Sequence, residues 1–123
     1  MQESGEMYLE NILLLGRQNN LVRASMLAEK MAISKASVSR ALARLKQDAC
    51  LIVDEEGYIA LTEKGRRIAE TIYERHCVLT QVFISLGVDP QTAEADACRV
   101  EHRISAETFA AVKARWQQTA ADK

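Results

Sequence analysis

Helix breakers are scarce in this chain: one proline and five glycines in 123 residues. That leaves little room for a turn-rich architecture and indicates a mainly α protein. Cysteine is scarce too. Cys50, Cys77 and Cys98 are odd in number and widely spaced, which argues against a disulfide framework and suits a reducing cytosol. No apolar run approaches a membrane span, and Met1–Glu6 lacks signal-peptide character, so a cytoplasmic protein with no membrane partner is expected. Charge of one sign is missing: the net charge is −1, and the whole chain is no polycation. Repeats, low-complexity tracts and flexible linkers are absent. What is present is ordinary for a soluble globular protein, with 48% hydrophobic and 27% charged residues. The length fits one domain or two small halves sharing a core.

Apolar periodicity places the elements. Ser4 can cap a first helix over about Glu6–Gly16, with Leu9, Ile12 and Leu13 as its stripe, widened by Leu14 and Leu15. Ala24–Met31 is a short helix. Ala32-Ile33-Ser34 is a tight connector ending in a plausible N-cap, and Lys35–Asp48 is a helix with Val38, Ala41, Leu42 and Leu45 inward. Two short helices joined by so tight a turn form a helix-turn-helix. Leu51-Ile52-Val53 and Tyr58-Ile59-Ala60-Leu61, joined by Asp54-Glu55-Glu56-Gly57, read as a hairpin wing. A long helix opens at Thr62 and runs to about Ser85, with Ile68, Ile72, Leu79, Phe83 and Leu86 on one stripe and Gly87 as its C-cap. Gln91–His102 and Ala106–Gln118 complete the set, the last capped by Ser105 and carrying Phe109, Val112 and Trp116; Thr119–Lys123 is expected to fray.

Charge is unevenly distributed. Between Arg17 and Asp48 the basic residues Arg17, Arg23, Lys30, Lys35, Arg40, Arg44 and Lys46 face only Glu29 and Asp48. A locally basic surface on a helix-turn-helix suits DNA, because phosphate neutralisation supplies much of the affinity. Ser34, Lys35, Ala36, Ser37, Ser39 and Arg40 lie at the start of the second helix, the part that reaches base edges; Arg40 suits a guanine edge, and Arg44 lies further along. The competing reading is a solvent-exposed helix of a protein-interaction domain. The acidic wing tip is expected to stay off the phosphates or touch them weakly.

The stretch Thr92–His102 carries the other chemistry. With no Gly and no Pro it reads as a helix, which sets Glu94, Cys98, Glu101 and His102 at i, i+4, i+7 and i+8, one stripe of donors suited to first-row divalent metals. A solvated acidic face with a stray buried cysteine is the bland alternative. Met7 can equally be core filler, and His76 a surface or capping residue. Cys77 points about 100° away from His76 on a helix and reads as packing; Cys50 reads as buried, and Trp116 as core or interface.

The chain resembles the diphtheria toxin repressor / manganese transport regulator family of metal-dependent transcriptional repressors. The matching residues are Glu6-Met7-Tyr8-Leu9-Glu10, Leu27-Ala28-Glu29, Ile33 to Ser39, Leu61-Thr62-Glu63-Lys64-Gly65, Arg75-His76 and Leu86-Gly87-Val88, and above all Asp96 to Ser105. The resemblance implies a short form without an SH3-like domain. It implies a winged helix-turn-helix DNA-binding domain over residues 1–66, then a helical metal-binding and dimerisation domain over 67–123. For iron-type members it implies Met7, Cys98, Glu101 and His102 as ligands. For manganese-type members it implies an Asp and a Glu on the first helix, of which only Glu10 is kept. A second family site matches at His76 and in part at Glu94, but Thr80 stands where a carboxylate is expected.

The expectation is a metal-gated repressor of metal-homeostasis genes that binds a palindromic operator as a homodimer. The thiolate and thioether donors point to Fe(II), while Mn(II), Zn(II), Co(II) and Ni(II) remain possible. The alternatives are a manganese-responsive regulator of the same kind and a winged-helix thiol-redox sensor without metal. A metalloenzyme is disfavoured, since no nucleophile–base pair and no glycine-rich phosphate loop is visible.

Overall fold

The computed structural model describes residues 3–121. It contains α1 (Glu3–Gln18), α2 (Ala24–Met31), α3 (Lys35–Gln47), β1 (Leu51–Val53), β2 (Ile59–Leu61), α4 (Glu63–Ser85), α5 (Pro90–Val100) and α6 (Ala106–Ala121). The chain divides into two compact units between Thr71 and Ile72, within α4.

In the first unit, α1 packs on α2, α3 and β2. Leu9, Ile12, Leu13, Leu27, Val38, Leu42, Leu45, Cys50, Leu51 and Ile59 are buried there, while Ala41 is only half-buried. The first helix is longer than its apolar stripe suggests. It begins at Glu3, so Ser4 lies inside it, and Glu3 and Glu6 in its first turn complement the positive end of the helix dipole. The connector between α2 and α3 is as tight as expected. Ala32, at φ 55°, closes α2 by donating to the Ala28 and Glu29 carbonyls, and Ser34 Oγ accepts from Ser37 N at 3.1 Å to cap α3.

The wing is an antiparallel pair with Leu51 opposite Leu61 and Val53 opposite Ile59. Its turn is organised by Asp54 Oδ1, which accepts from Glu56 N and Tyr58 N, both at 2.9 Å, with Gly57 at φ 87°. The strand-to-helix junction explains the run Leu61 to Gly65. Thr62 Oγ1 donates to the Ala49 carbonyl at 2.7 Å and accepts from Gly65 N at 3.1 Å, capping α4. Gly65 lies directly against the Cys50 backbone, where a Cβ would collide with the Cys50 carbonyl. Burial pushes the Cys50 thiol pKa above its ordinary value, against the opposing pull of the Lys64 ammonium.

In the second unit, Leu79, Ala97 and Phe109 form the core, joined by Val78, Phe83, Val100, Ile104 and Val112. Asp89 Oδ2 caps α5 by accepting from Gln91 N and Thr92 N, ahead of Pro90 in the first turn. Ser105 Oγ caps α6 by accepting from Thr108 N at 3.1 Å. Three expectations need correcting. The α5 helix ends at Val100, so Glu101 and His102 lie in the turn beyond it. Leu86 lies past the end of α4 and is 74% exposed, so it does not continue the buried stripe. The last helix continues through Thr119–Ala121 rather than fraying; the remainder of that stretch lies outside the described residues.

Candidate metal centre and nucleic-acid interface

The second unit gathers a carboxylate and two imidazoles. Glu101 is the C-cap of α5, and its side chain is 0% exposed. His76, from α4, places Nδ1 at 2.9 Å from Glu101 Oε2. On the other side, His102 Nε2 lies 3.3 Å from Glu101 Oε1, and the His102 side chain is also fully buried. Among the described residues, Glu101 Oε1 accepts no hydrogen bond. Desolvating a carboxylate oxygen with no donor is costly unless a cation or donor compensates it.

Spacing tests whether a metal ion fits these residues. Nitrogen and oxygen ligands sit about 2.0–2.2 Å from a divalent transition metal, so two donors on one ion lie about 3.0–3.4 Å apart. The Glu101 Oε1–His102 Nε2 separation of 3.3 Å falls in that range. Donor chemistry agrees, since carboxylate and imidazole suit Mn, Fe and Zn. His76 is placed either as a further ligand or as the imidazole that orients the Glu101 carboxylate.

The remaining sequence candidates are distributed differently. Glu94 lies toward His76, with Oε1 at 3.9 Å from Nε2, but its side chain is 70% exposed. Thr80 donates its hydroxyl to the His76 carbonyl at 2.6 Å, so it faces its own helix backbone and stands in for no carboxylate. Cys98 is half-buried on α5, and Met7 half-buried and Glu10 buried on α1. The helix ends at Val100, but Glu101 keeps helical φ and ψ of −57° and −29° and its N–H donates to Ala97 O at 2.9 Å, so the helical direction carries on to Glu101, with His102 in the turn that follows.

On the first unit, Ser34, Lys35, Ala36, Ser39, Arg40 and Arg44 are exposed along α3, and Ser37 is half-buried. The serines are already organised: Ser34 Oγ lies 2.9 Å from Ser37 Oγ, and Arg40 Nη2 lies 3.4 Å from Ser37 Oγ. Arg40 and Arg44 also line a cavity of about 530 Å³ that includes Tyr8 and the start of α1. Arg23 is employed elsewhere than the basic surface suggests. Its guanidinium lies 4.2 Å over the Tyr58 ring and donates to the Glu56 carbonyl at 2.9 Å, clamping the wing. Sequence reasoning missed this because Arg23 and Tyr58 meet only through the isolated bridge beside the hairpin.

The fold is that of a winged helix-turn-helix regulator with a helical second unit. The chain belongs to the iron dependent repressor family: the profile described as "Iron dependent repressor, N-terminal DNA binding domain" matches residues 1–64, and the one described as "Iron dependent repressor, metal binding and dimerisation domain" matches residues 62–122. Among named relatives, the HTH-type transcriptional regulators MntR of Bacillus velezensis and Bacillus subtilis are each 32% identical over 102 residues, covering 83% of this chain and 72% of theirs. A solved structure of a manganese-dependent transcriptional repressor in complex with manganese superposes with TM-score 0.83 at 25% identity, covering 92% of this chain and 52% of that one. The metal-dependent transcriptional regulator MtsR superposes with TM-score 0.83 at 26% identity, covering 95% and 55% respectively. The chain thus spans about half the length of these solved structures. No helix among the described residues is long and apolar enough to cross a membrane.

Proposed function

We propose that this protein is a metal-dependent transcriptional repressor that binds double-stranded operator DNA as a homodimer when metal-loaded, in the cytoplasm. One observation carries the reading: the fully buried Glu101 carboxylate, whose Oε1 lies 3.3 Å from His102 Nε2 and accepts no hydrogen bond among the described residues. A bound divalent cation supplies the charge that offsets desolvation of that carboxylate. Glu101 and His102 act as ligands. His76 holds the far oxygen of Glu101, and Cys98, Met7, Glu10 and Glu94 are the further donors assigned from the sequence. For metal to promote DNA binding, it need only bind the competent state more tightly than the other.

Homodimerisation is supported by an apolar groove of about 550 Å³ on the second unit, lined by Val82, Leu86, Val112 and Trp116. A two-fold dimer matches a palindromic operator. Fe(II) is the proposed physiological metal because Cys98 and Met7 are soft donors. A second reading, Mn(II), is favoured by the retained Glu10 and by the likeness to the manganese-dependent transcriptional repressor solved with manganese.

The test is an anaerobic DNA-binding titration in reductant with Fe(II), Mn(II), Zn(II) or no metal. Metal-stimulated binding is expected. Equal binding without metal overturns the gating, and binding that follows thiol oxidation instead supports a redox sensor.

A further inference from the structure

The turn that carries Glu101 and His102 is held by a residue that neither composition nor spacing singles out. Arg75 precedes His76 on α4, and its Nη1 donates to two carbonyls, Glu101 O at 3.2 Å and Ile104 O at 3.1 Å. These carbonyls bracket the turn. Backbone bonds from Arg103 N and Ile104 N to Val100 O, at 2.9 and 3.0 Å, close it locally. The guanidinium is itself fixed, 5.7 Å over the ring of buried Phe109, and its buried Nε has no hydrogen-bond partner among the described residues. A group that leaves one buried donor unsatisfied to reach two carbonyls is placed by what those bonds achieve.

We infer that Arg75 is a positioning residue for the metal centre: it fixes the backbone at Glu101 and Ile104, and so the direction in which the Glu101 and His102 side chains meet. The inference rests on the metal-binding reading above. Two adjacent α4 residues then grip Glu101 at once, Arg75 by its carbonyl and His76 by its carboxylate. The physical need follows from where α5 ends. The N–H groups of Glu101, Arg103 and Ile104 are bound to Ala97 O and Val100 O, but carbonyls at a helix end lack intrahelical donors, and Arg75 supplies them to Glu101 O and Ile104 O. Arginine suits the task because one guanidinium NH2 group carries two N–H donors for the two carbonyls while its planar face packs on an aromatic ring. Its positive charge is directed at backbone carbonyls near the end of α5, where a cation complements the helix dipole.

The test uses the full apo protein and Co(II) alone as probe, reading affinity by titration and coordination geometry by visible absorption. Arg75→Met is expected to weaken Co(II) binding about 10- to 100-fold, the usual consequence of removing a group that orients a ligand. Its visible bands should change while helix content by circular dichroism is kept. Arg75→Lys, which keeps a cationic donor, is expected to recover part of both. Lys113→Met, which breaks the exposed 3.0 Å Lys113–Glu74 ion pair between α6 and α4, is expected to change neither.

A folded Arg75→Met with wild-type affinity and spectrum overturns the inference. If Arg75→Met does not fold, Arg75→Lys and Arg75→Gln decide it: altered affinity or spectrum in the folded variants supports it, and wild-type values in both overturn it. Failure of the wild-type protein to take Co(II) overturns the metal-binding reading and this inference with it. Wild-type binding with unmoved Arg75 variants overturns this inference alone.

Discussion

His76 Nδ1 lies 2.9 Å from Glu101 Oε2, a contact between residues 25 apart in sequence. It joins the middle of α4 to the turn after α5 around a carboxylate wholly removed from solvent. Such a contact holds a carboxylate in one orientation and leaves its second oxygen for another partner.

Replacing Glu101 by glutamine keeps the volume and removes the charge. The apo protein is expected to stay folded, since a buried carboxylate costs more to desolvate than an amide. The metal-induced rise in melting temperature should disappear. For a wild-type protein at a metal concentration 100 times Kd, binding adds about 2.7 kcal/mol of stability. Differential scanning fluorimetry with and without Mn(II) or Co(II) reads this directly, and an unchanged metal shift in Glu101→Gln would remove Glu101 from the ligand set.

Metal choice is tested by exchanging soft donors for oxygen. Cys98→Glu, alone and with Met7→Asp, is expected to lower Fe(II)-dependent DNA binding and to keep or strengthen the Mn(II) response, most clearly in the double variant. Bound metal is also expected to slow alkylation of Cys98 in the wild-type protein. Cys50, buried and with its thiol pKa raised, should label slowly with or without metal. If the ranking of metals survives Cys98→Glu, Cys98 is not a ligand.

For DNA, Arg40→Ala is expected to weaken operator binding by about 1–3 kcal/mol and relax preference at one base position. Lys35→Ala or Arg44→Ala should weaken all sequences alike and reduce the salt dependence. Competition binding against single-base operator variants separates the two behaviours. Unchanged affinity in Arg40→Ala would mean that α3 meets DNA by another face.

The junction after the wing offers a stability test. Gly65→Ala places a methyl group against the Cys50 carbonyl, a backbone atom that cannot rotate away. Overpacking of this kind costs about 1–3 kcal/mol. A lowered midpoint in urea with an unchanged slope is the expected result, and an unshifted midpoint would show that the junction yields freely.

Much of this architecture is written locally. Apolar periodicity marks α2 and α3, Ser34 and Ser105 cap the following helices as their positions suggest, and the turn at Gly57 closes the wing, because these features depend on neighbours a few residues away. The residue types Glu101, His102 and His76 can also be named from sequence, but their mutual placement cannot. A spacing rule puts four donors on one stripe of α5, but it does not show that Glu101, at the C-cap, meets His76 of α4 at 2.9 Å. Nor does the sequence indicate that Arg23 clamps Tyr58, that the Thr80 hydroxyl serves the His76 carbonyl, or that Arg75 reaches two carbonyls more than twenty residues away. By itself the sequence determined the helices, the Ser34 and Ser105 caps and the kinds of donor available. The tertiary structure decided which donors meet, because that depends on where each helix stops and on which distant side chain holds the turn that follows.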